Sequence, residues 1–233
     1  MENRLFDYMN RRLSGDVIPE ISKKEPGPVI TISRQTGCGA RGIASTICQE
    51  LNQRKPAAKN EIQWRYISRE ILQESAEKLN LDTVALEHVV DDKDRGIMDQ
   101  IVGALSTHSF KSDQKILKTV QDVIRQFGHN GKVVIIGRGG ASICSDIKQS
   151  IHVRLVAPEE WRIAEIARRL DYNKAYATEY VHKRDAEREL LITRLLGKKP
   201  DSLAYDLEIN RSRFTDVQIA EMIIQLATIK GII

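Results

Sequence analysis

A glycine-rich segment, residues 33–42, has the residue types and spacing best suited to phosphate chemistry in this sequence. It follows a short run of β-branched residues, 29–32, and precedes apolar residues at helical spacing. Glycines let backbone N–H groups curl around an anion, and a helix N-terminus adds partial positive charge. The segment lacks the lysine of a full GxxxxGK[ST] motif. Tight packing of the strand against the helix is the alternative interpretation.

Arginines supply the second set of candidate phosphate ligands. Arg138 follows the apolar run 132–136, whereas Arg184 and Arg188 lie four residues apart on one face of a charged helix. The planar guanidinium group matches the geometry of phosphate oxygens. The alternatives are a surface cap for Arg138 and a solvated face with ion pairs for the helix.

The preceding helix carries three more arginines, for which we expect surface roles. They are Arg162, Arg168 and Arg169.

The elements that must position these residues alternate between strands and helices. Mostly apolar runs at 29–32, 132–136 and 151–156 predict buried strands, and weaker patterns predict strands at 64–67 and 205–210. This order predicts an α/β fold with a five-stranded parallel sheet. Ligands of such sheets bind beyond the carboxyl ends of the strands, where the glycine-rich turn and Arg138 are both expected.

The flanking segments predict an N-terminal helical arm and linker at residues 1–25 and a single domain at residues 26–233. Helices are expected in the domain from Ser68 to about Leu79, at 113–127 with a stop at Gly128, and at 179–196. Short helices are expected within residues 82–108.

Composition excludes several classes of function. The 233 residues carry a net charge of +4 with both signs interspersed, and only 5% are aromatic, so we expect no nucleic-acid partner. No apolar run is long enough to cross a membrane, and no signal peptide is evident, so a cytoplasmic protein is expected. The cysteines Cys38, Cys48 and Cys144 indicate reduced thiols, and we expect no protein-bound metal.

The pattern Thr-Ile-Ser-Arg-x-x-Gly-x-Gly-x-Arg-x-Ile-Ala at residues 31–44 resembles the opening of the cytidylate-kinase-like family. These are P-loop proteins related to bacterial cytidylate kinase. Residues 66–79, 133–138 and 205–212 resemble later family segments in the same order. The resemblance covers about residues 28–227.

This resemblance implies an adenylate-kinase-like P-loop fold, a three-layer sandwich, that transfers phosphoryl groups from ATP with Mg²⁺ to a CMP-like nucleoside monophosphate. It implies a lid around residues 172–200, in which Arg184 and Arg188 would be catalytic together with Arg41 of the loop. Arg138 and Arg34 would bind the acceptor. The donor-phosphate loop would consist of Gly37, Cys38, Gly39, Ala40 and Gly42.

The sequence departs from the family pattern at three positions. Ala40 stands where those kinases have the P-loop lysine, Gly42 stands at their threonine, and Gly139 stands at their aspartate. Two alternatives therefore stay open: a nucleotide-binding protein with little kinase activity, used as a sensor or partner module, and a kinase for another small metabolite. The expected partners are small nucleotides, and the oligomeric state is left open, with a homodimer among the options.

Overall fold

A five-stranded parallel sheet forms the centre of the molecule, in the order β2-β3-β1-β4-β5. The computed structural model describes residues 25–56, 61–68, 110–196 and 204–233, with Tyr8, Met9, Arg11 and Leu13 of the N-terminal segment. The predicted helix from Ser68 to about Leu79, the short helices of 82–108 and most of the predicted arm lie outside the described residues.

Strands and helices alternate along the described chain. The strands are β1 (Val29–Arg34), β2 (Arg65–Ile67), β3 (Val133–Ile136), β4 (Ser150–Val156) and β5 (Leu207–Asn210). The helices are α1 (Arg41–Arg54), α2 (Phe110–Asn130), α3 (Gly140–Ile143), α4 (Glu159–Leu170), α5 (Lys174–Leu196) and α6 (Asp216–Ile229), with a 3₁₀ turn at Arg211–Arg213. The predicted α/β class with a five-stranded parallel sheet is confirmed.

Helices cover both faces of the sheet, because its central strands are apolar on both sides. β1 and β3 have buried side chains along Val29–Ile32 and Val133–Ile136, as is usual for parallel strands. One apolar cluster joins the sheet to α1 and α6, and another joins it to α2 and α3. Met9 of the N-terminal segment is fully buried in the second cluster.

Three helix boundaries differ from the sequence prediction, and the first is the start of α2 at Phe110, three residues before the predicted start. α2 continues through Gly128 to Asn130, so the predicted stop at Gly128 is wrong. Gly128 instead lies within 3 Å of Cys144 and Ile147, measured from the position that a Cβ would take, and therefore permits close packing. α5 begins at Lys174, five residues before the predicted start.

A buried polar cluster joins β4 to the start of β5. The ring of His152 is hydrogen-bonded to Thr31 Oγ1 through Nδ1 (2.8 Å) and to Ser150 Oγ through Nε2 (3.2 Å). The Asp206 carboxylate accepts a hydrogen bond from the backbone N–H of His152 (2.7 Å) and forms an ion pair with Lys230 (2.9 Å). Burial lowers the pKa of His152, because loss of water disfavours the imidazolium ion, and the nearby Asp206 carboxylate opposes that shift.

The His152 cluster predicts a loss of stability in mild acid. The folded-state pKa lies below the unfolded value of about 6.5, so stability is complete above pH 6.5 and falls as the pH drops towards the folded pKa. One such group contributes a slope of at most about 1.4 kcal/mol per pH unit. Urea unfolding between pH 5 and 8 should show this slope, and His152→Asn should remove it.

The matched control is His129→Asn, which changes an exposed histidine on α2. It should leave the slope in place. An unchanged slope in His152→Asn would mean that another group controls the acid response.

Candidate functional site

The turn between β1 and α1 is held to neighbouring elements by backbone and side-chain hydrogen bonds. Gln35 donates its N–H to Leu155 O (3.0 Å), and its side-chain oxygen accepts the N–H of Ala157 (3.1 Å). α1 begins after Ala40, which provides no side-chain cap, and its first turn contains no acidic residue. Its first N–H groups have no intrahelical acceptors, as in any α-helix, so this N-terminus suits an anion.

Gly37 brings the turn into direct contact with α4. Its φ of +94° is in the left-handed region. A Cβ at this position would lie 2.8 Å from the carbonyl oxygen of Arg162 and 2.9 Å from its Cβ. Only glycine satisfies both the backbone geometry and the close approach.

Arg162 is buried, so its predicted surface role is wrong. Only 5% of the residue is exposed. Its guanidinium group donates to Ala157 O (3.1 Å) and Thr36 O (3.2 Å), and pairs with Asp185 Oδ2 (2.6 Å). Arg168 and Arg169 of the same helix are exposed, as predicted.

Asp185 of α5 connects Arg162 to the turn. Its Oδ1 accepts the N–H of Thr36 (2.8 Å) and a hydrogen bond from Arg188 Nη1 (3.1 Å), whereas its Oδ2 pairs with Arg162. Deleting the carboxylate would leave the buried guanidinium of Arg162 unpaired. Breaking a typical buried ion pair in this way lowers stability by about 3–5 kcal/mol. The pair therefore fastens α4, α5 and the turn together.

Arg188 reaches the glycine-rich turn directly. Its Nη1 donates to Thr36 Oγ1 at 2.9 Å as well as to Asp185. Burial lowers the pKa of Arg188, and Asp185 opposes that shift. Arg188 thus adds positive charge to the turn that precedes the uncapped N-terminus of α1.

Arg211 and Asp216 hold the other side of the turn. Arg211 Nε donates to Cys38 O at 3.1 Å, and its Nη2 pairs with the Asp216 carboxylate. A Cβ on Gly42 would collide with that carboxylate, so glycine allows α6 to approach the first turn of α1.

A second group of residues lies at the ends of β1 and β3. The Arg34 guanidinium occupies the space that a side chain on Gly137 would need. The next residue, Arg138, is half-buried and has a φ of +56°, which is uncommon for a residue other than glycine. Positive φ outside glycine is often retained at functional sites. Arg34 and the Gly137–Arg138 turn thus meet at the carboxyl edge of the sheet.

The remaining predicted site residues lie around the first turn of α1 and on α5. Ala40 is 5% exposed and packs in the core, whereas Arg41, one residue later, is exposed. Gly39 has a φ of +59° and faces open space. Arg184 lies one turn before Arg188, where it contacts Glu187 (3.3 Å) and the ring of Tyr180 (5.2 Å).

Cys38 is a buried thiol. Burial raises its pKa to about 11, although Arg162 and Arg211 oppose that shift. The thiol is therefore neutral at physiological pH and ill-suited to act as a nucleophile. Cys48 and Cys144 are also buried and free.

Arg162 and Asp185 are functional candidates that the sequence analysis missed. Arg162 lies four residues before the buried Ile166, within the apolar stripe of α4. Asp185 lies four residues after the buried Val181. Charged residues that continue an apolar helical stripe are candidates for buried polar contacts, although the stripe does not identify their partners.

Within the described part of the chain, no group of three or more His, Cys, Asp and Glu side chains is suited to hold a metal ion. Over the same residues, no helix has both the length and the apolar character needed to cross a bilayer.

These features define a class: an α/β protein with a P-loop-like strand–turn–helix and arginines converging on it. Residues 29–213 match the model of the cytidylate kinase-like family. The chain belongs to this family. Among curated proteins, none matches the sequence.

One solved structure shows a similar fold. An uncharacterized protein from Eubacterium ventriosum superposes with a TM-score of 0.59 at 19% identity, covering 86% of this chain and 97% of that one. A dephospho-CoA kinase from Campylobacter jejuni covers the same shares at 15% identity, with a TM-score of 0.35. That second superposition is too loose to bear on activity.

The contact between Gly37 and α4 predicts a specific loss of stability. Gly37→Ala adds a clash with the Arg162 backbone to the strain of a positive φ, so it should cost about 2 kcal/mol or more. Gly39→Ala is the matched control, because its φ is also positive but no atom lies within 4 Å of the new Cβ. It should cost about 1 kcal/mol. Urea unfolding measures both, and equal costs would contradict the packing argument.

Proposed function

We propose that the protein transfers a phosphoryl group from ATP to a nucleoside monophosphate, with a CMP-like acceptor. Membership of the cytidylate kinase-like family supports kinase-like chemistry on a nucleotide or small molecule. The observation that carries the proposal is the contact of Arg188 with Thr36 of the turn. This contact places the guanidinium group of Arg188, which belongs to the proposed lid, next to the turn where the donor phosphates would bind.

Local charge supports an anionic ligand. Three arginines donate hydrogen bonds to residues 36–38, namely Arg162, Arg188 and Arg211. Two carboxylates pair with them, Asp185 and Asp216. This leaves an excess of positive charge before Arg41 at the start of α1 is considered. In phosphoryl transfer, catalysis is mostly positioning and neutralisation of charge, and arginines supply both.

In the proposed mechanism, the turn at residues 37–42 and Arg41 bind the donor phosphates. Arg34 and Arg138 bind the acceptor phosphate at the neighbouring strand ends. Arg184 and Arg188 stabilise the negative charge of the transferred group.

Magnesium would enter with ATP. Mg²⁺ commonly binds substrate phosphates with one or two protein carboxylates. Asp216, which pairs with Arg211 beside Gly42 at the first turn of α1, would supply a carboxylate of this kind. Bound Mg²⁺ would neutralise charge on the phosphates.

A second candidate function is nucleotide binding with little or no transfer. Ala40 is buried where the related kinases have lysine, and Asp185 occupies the N–H of Thr36 within the turn. Such a protein would bind ATP and turn over no acceptor.

Nucleotide binding is the first test. ATP or ADP at millimolar concentration should raise the melting temperature, because a ligand of the native state stabilises it by mass action. Saturation one-hundredfold above Kd adds about 2.7 kcal/mol. For a chain of this size, each kcal/mol corresponds to about 2–4 °C. No shift with or without Mg²⁺ would argue against both candidate functions. Measuring ADP release with a panel of nucleoside monophosphates then distinguishes the two candidate functions, since only a kinase releases ADP in response to an acceptor.

Arg138 should affect the acceptor alone. Arg138→Ala removes a charge-assisted phosphate contact, so use of the acceptor should weaken by about 2–4 kcal/mol while ATP affinity stays constant. Arg125→Ala, which breaks the exposed pair with Asp146, is the matched control and should change neither quantity. A parallel fall in donor and acceptor affinities would assign Arg138 a structural role.

Arg41 should affect transfer itself. If it replaces the missing lysine, Arg41→Ala should slow phosphoryl transfer about a hundredfold or more, on the scale of one preorganised electrostatic contact. The fold should be retained because the side chain is exposed. Arg54→Ala at the other end of α1, where Arg54 pairs with Glu50 on the surface, should be neutral. Near-normal turnover in Arg41→Ala would exclude the hypothesis that Arg41 replaces the P-loop lysine.

A further inference from the structure

Asp185 is the acceptor shared by the turn and by the two arginines that hold it. Its carboxylate receives the N–H of Thr36 at 2.8 Å, Arg162 Nη1 at 2.6 Å and Arg188 Nη1 at 3.1 Å. These donors come from the turn after β1, from α4 and from α5. Three separate parts of the chain therefore converge on one side chain.

The environment makes this carboxylate hard to replace. The side chain of Arg162 is 6% exposed, and Asp185 is its ion-pair partner. The other hydrogen bonds of that guanidinium end on the carbonyl oxygens of Ala157 and Thr36. The carbonyl and the N–H of Thr36 are thus both held by the Arg162–Asp185 pair. This geometry leaves the backbone of residue 36 little freedom to rotate.

The same carboxylate orients Arg188. One nitrogen, Nη1, lies between Asp185 Oδ1 and Thr36 Oγ1. Two acceptors at one end of the guanidinium group hold it against the turn. A preorganised guanidinium binds phosphate without first losing conformational freedom.

We propose that Asp185 is a positioning residue, which fixes the turn at Thr36 and holds Arg188 ready for the donor phosphates. This inference rests on the proposed function for its effect on nucleotide, but its effect on the turn is independent of it. Removal of Asp185 frees the turn and Arg188 together. The nucleotide should then bind more weakly even though a negative charge has been removed.

The experiment measures two quantities in the full chain carrying Asp185→Asn or Asp185→Ala. The first is amide hydrogen exchange of Thr36 relative to Ile32 in the middle of β1, without nucleotide. The second is ATP affinity by calorimetry. The matched control is Glu165→Gln, which removes a carboxylate paired with the exposed Arg168 on α4. Exchange at Thr36 should accelerate at least tenfold relative to Ile32, and ATP should bind at least tenfold more weakly, while the control matches the wild type.

A purely structural role gives a different pattern. If Asp185 only stabilises the fold, exchange at Thr36 and Ile32 rises by the same factor, and the ratio stays constant. That result overturns the proposal, as does ATP binding that is unchanged or tighter in a folded variant. If the wild type itself does not bind ATP, the proposed function fails. The Thr36 exchange ratio then still decides whether Asp185 holds the turn.

Discussion

The buried ion pair between Arg162 and Asp185 is the interaction on which the candidate site depends. A guanidinium group with about 5% exposure is tolerated only when a carboxylate and good hydrogen bonds replace water. Asp185 supplies the carboxylate, and backbone carbonyls supply the remaining acceptors. Since one of these carbonyls belongs to Thr36, the requirement to satisfy a buried charge also determines the path of the glycine-rich turn.

Close packing and charge act together around that turn. Gly37 allows the backbone of Arg162 to approach, and Gly42 allows Asp216 to approach from α6. The glycines here do more than leave room for an anion: two of them are contact points for neighbouring helices. The conformation of the turn is therefore set by α4, α5 and α6, and an anion would meet N–H groups that are already oriented.

The site divides into two regions along the carboxyl edge of the sheet. Arg188 and Arg211 contact the turn after β1, and Arg34 meets the Gly137–Arg138 turn after β3. β1 and β3 are neighbours, so the two regions adjoin. Under the proposed function, these adjacent cationic regions would bring two phosphorylated reactants together, which supplies much of the rate of such reactions.

Local pattern in the sequence determined the elements of this protein, but not the contacts between them. Runs such as 29–32 and 133–136 are apolar or β-branched at every position, so they predict buried parallel strands, and strand order then places the glycine-rich turn and Arg138 at one edge. The burial of Arg162 was not predicted, because it depends on Asp185, 23 residues away, and on the carbonyl of Thr36, 126 residues away. Helical periodicity describes which face a residue occupies, whereas the tertiary structure decides what that face meets. A charged side chain is buried only where such partners exist, and partners from distant parts of the chain come together only in the folded structure.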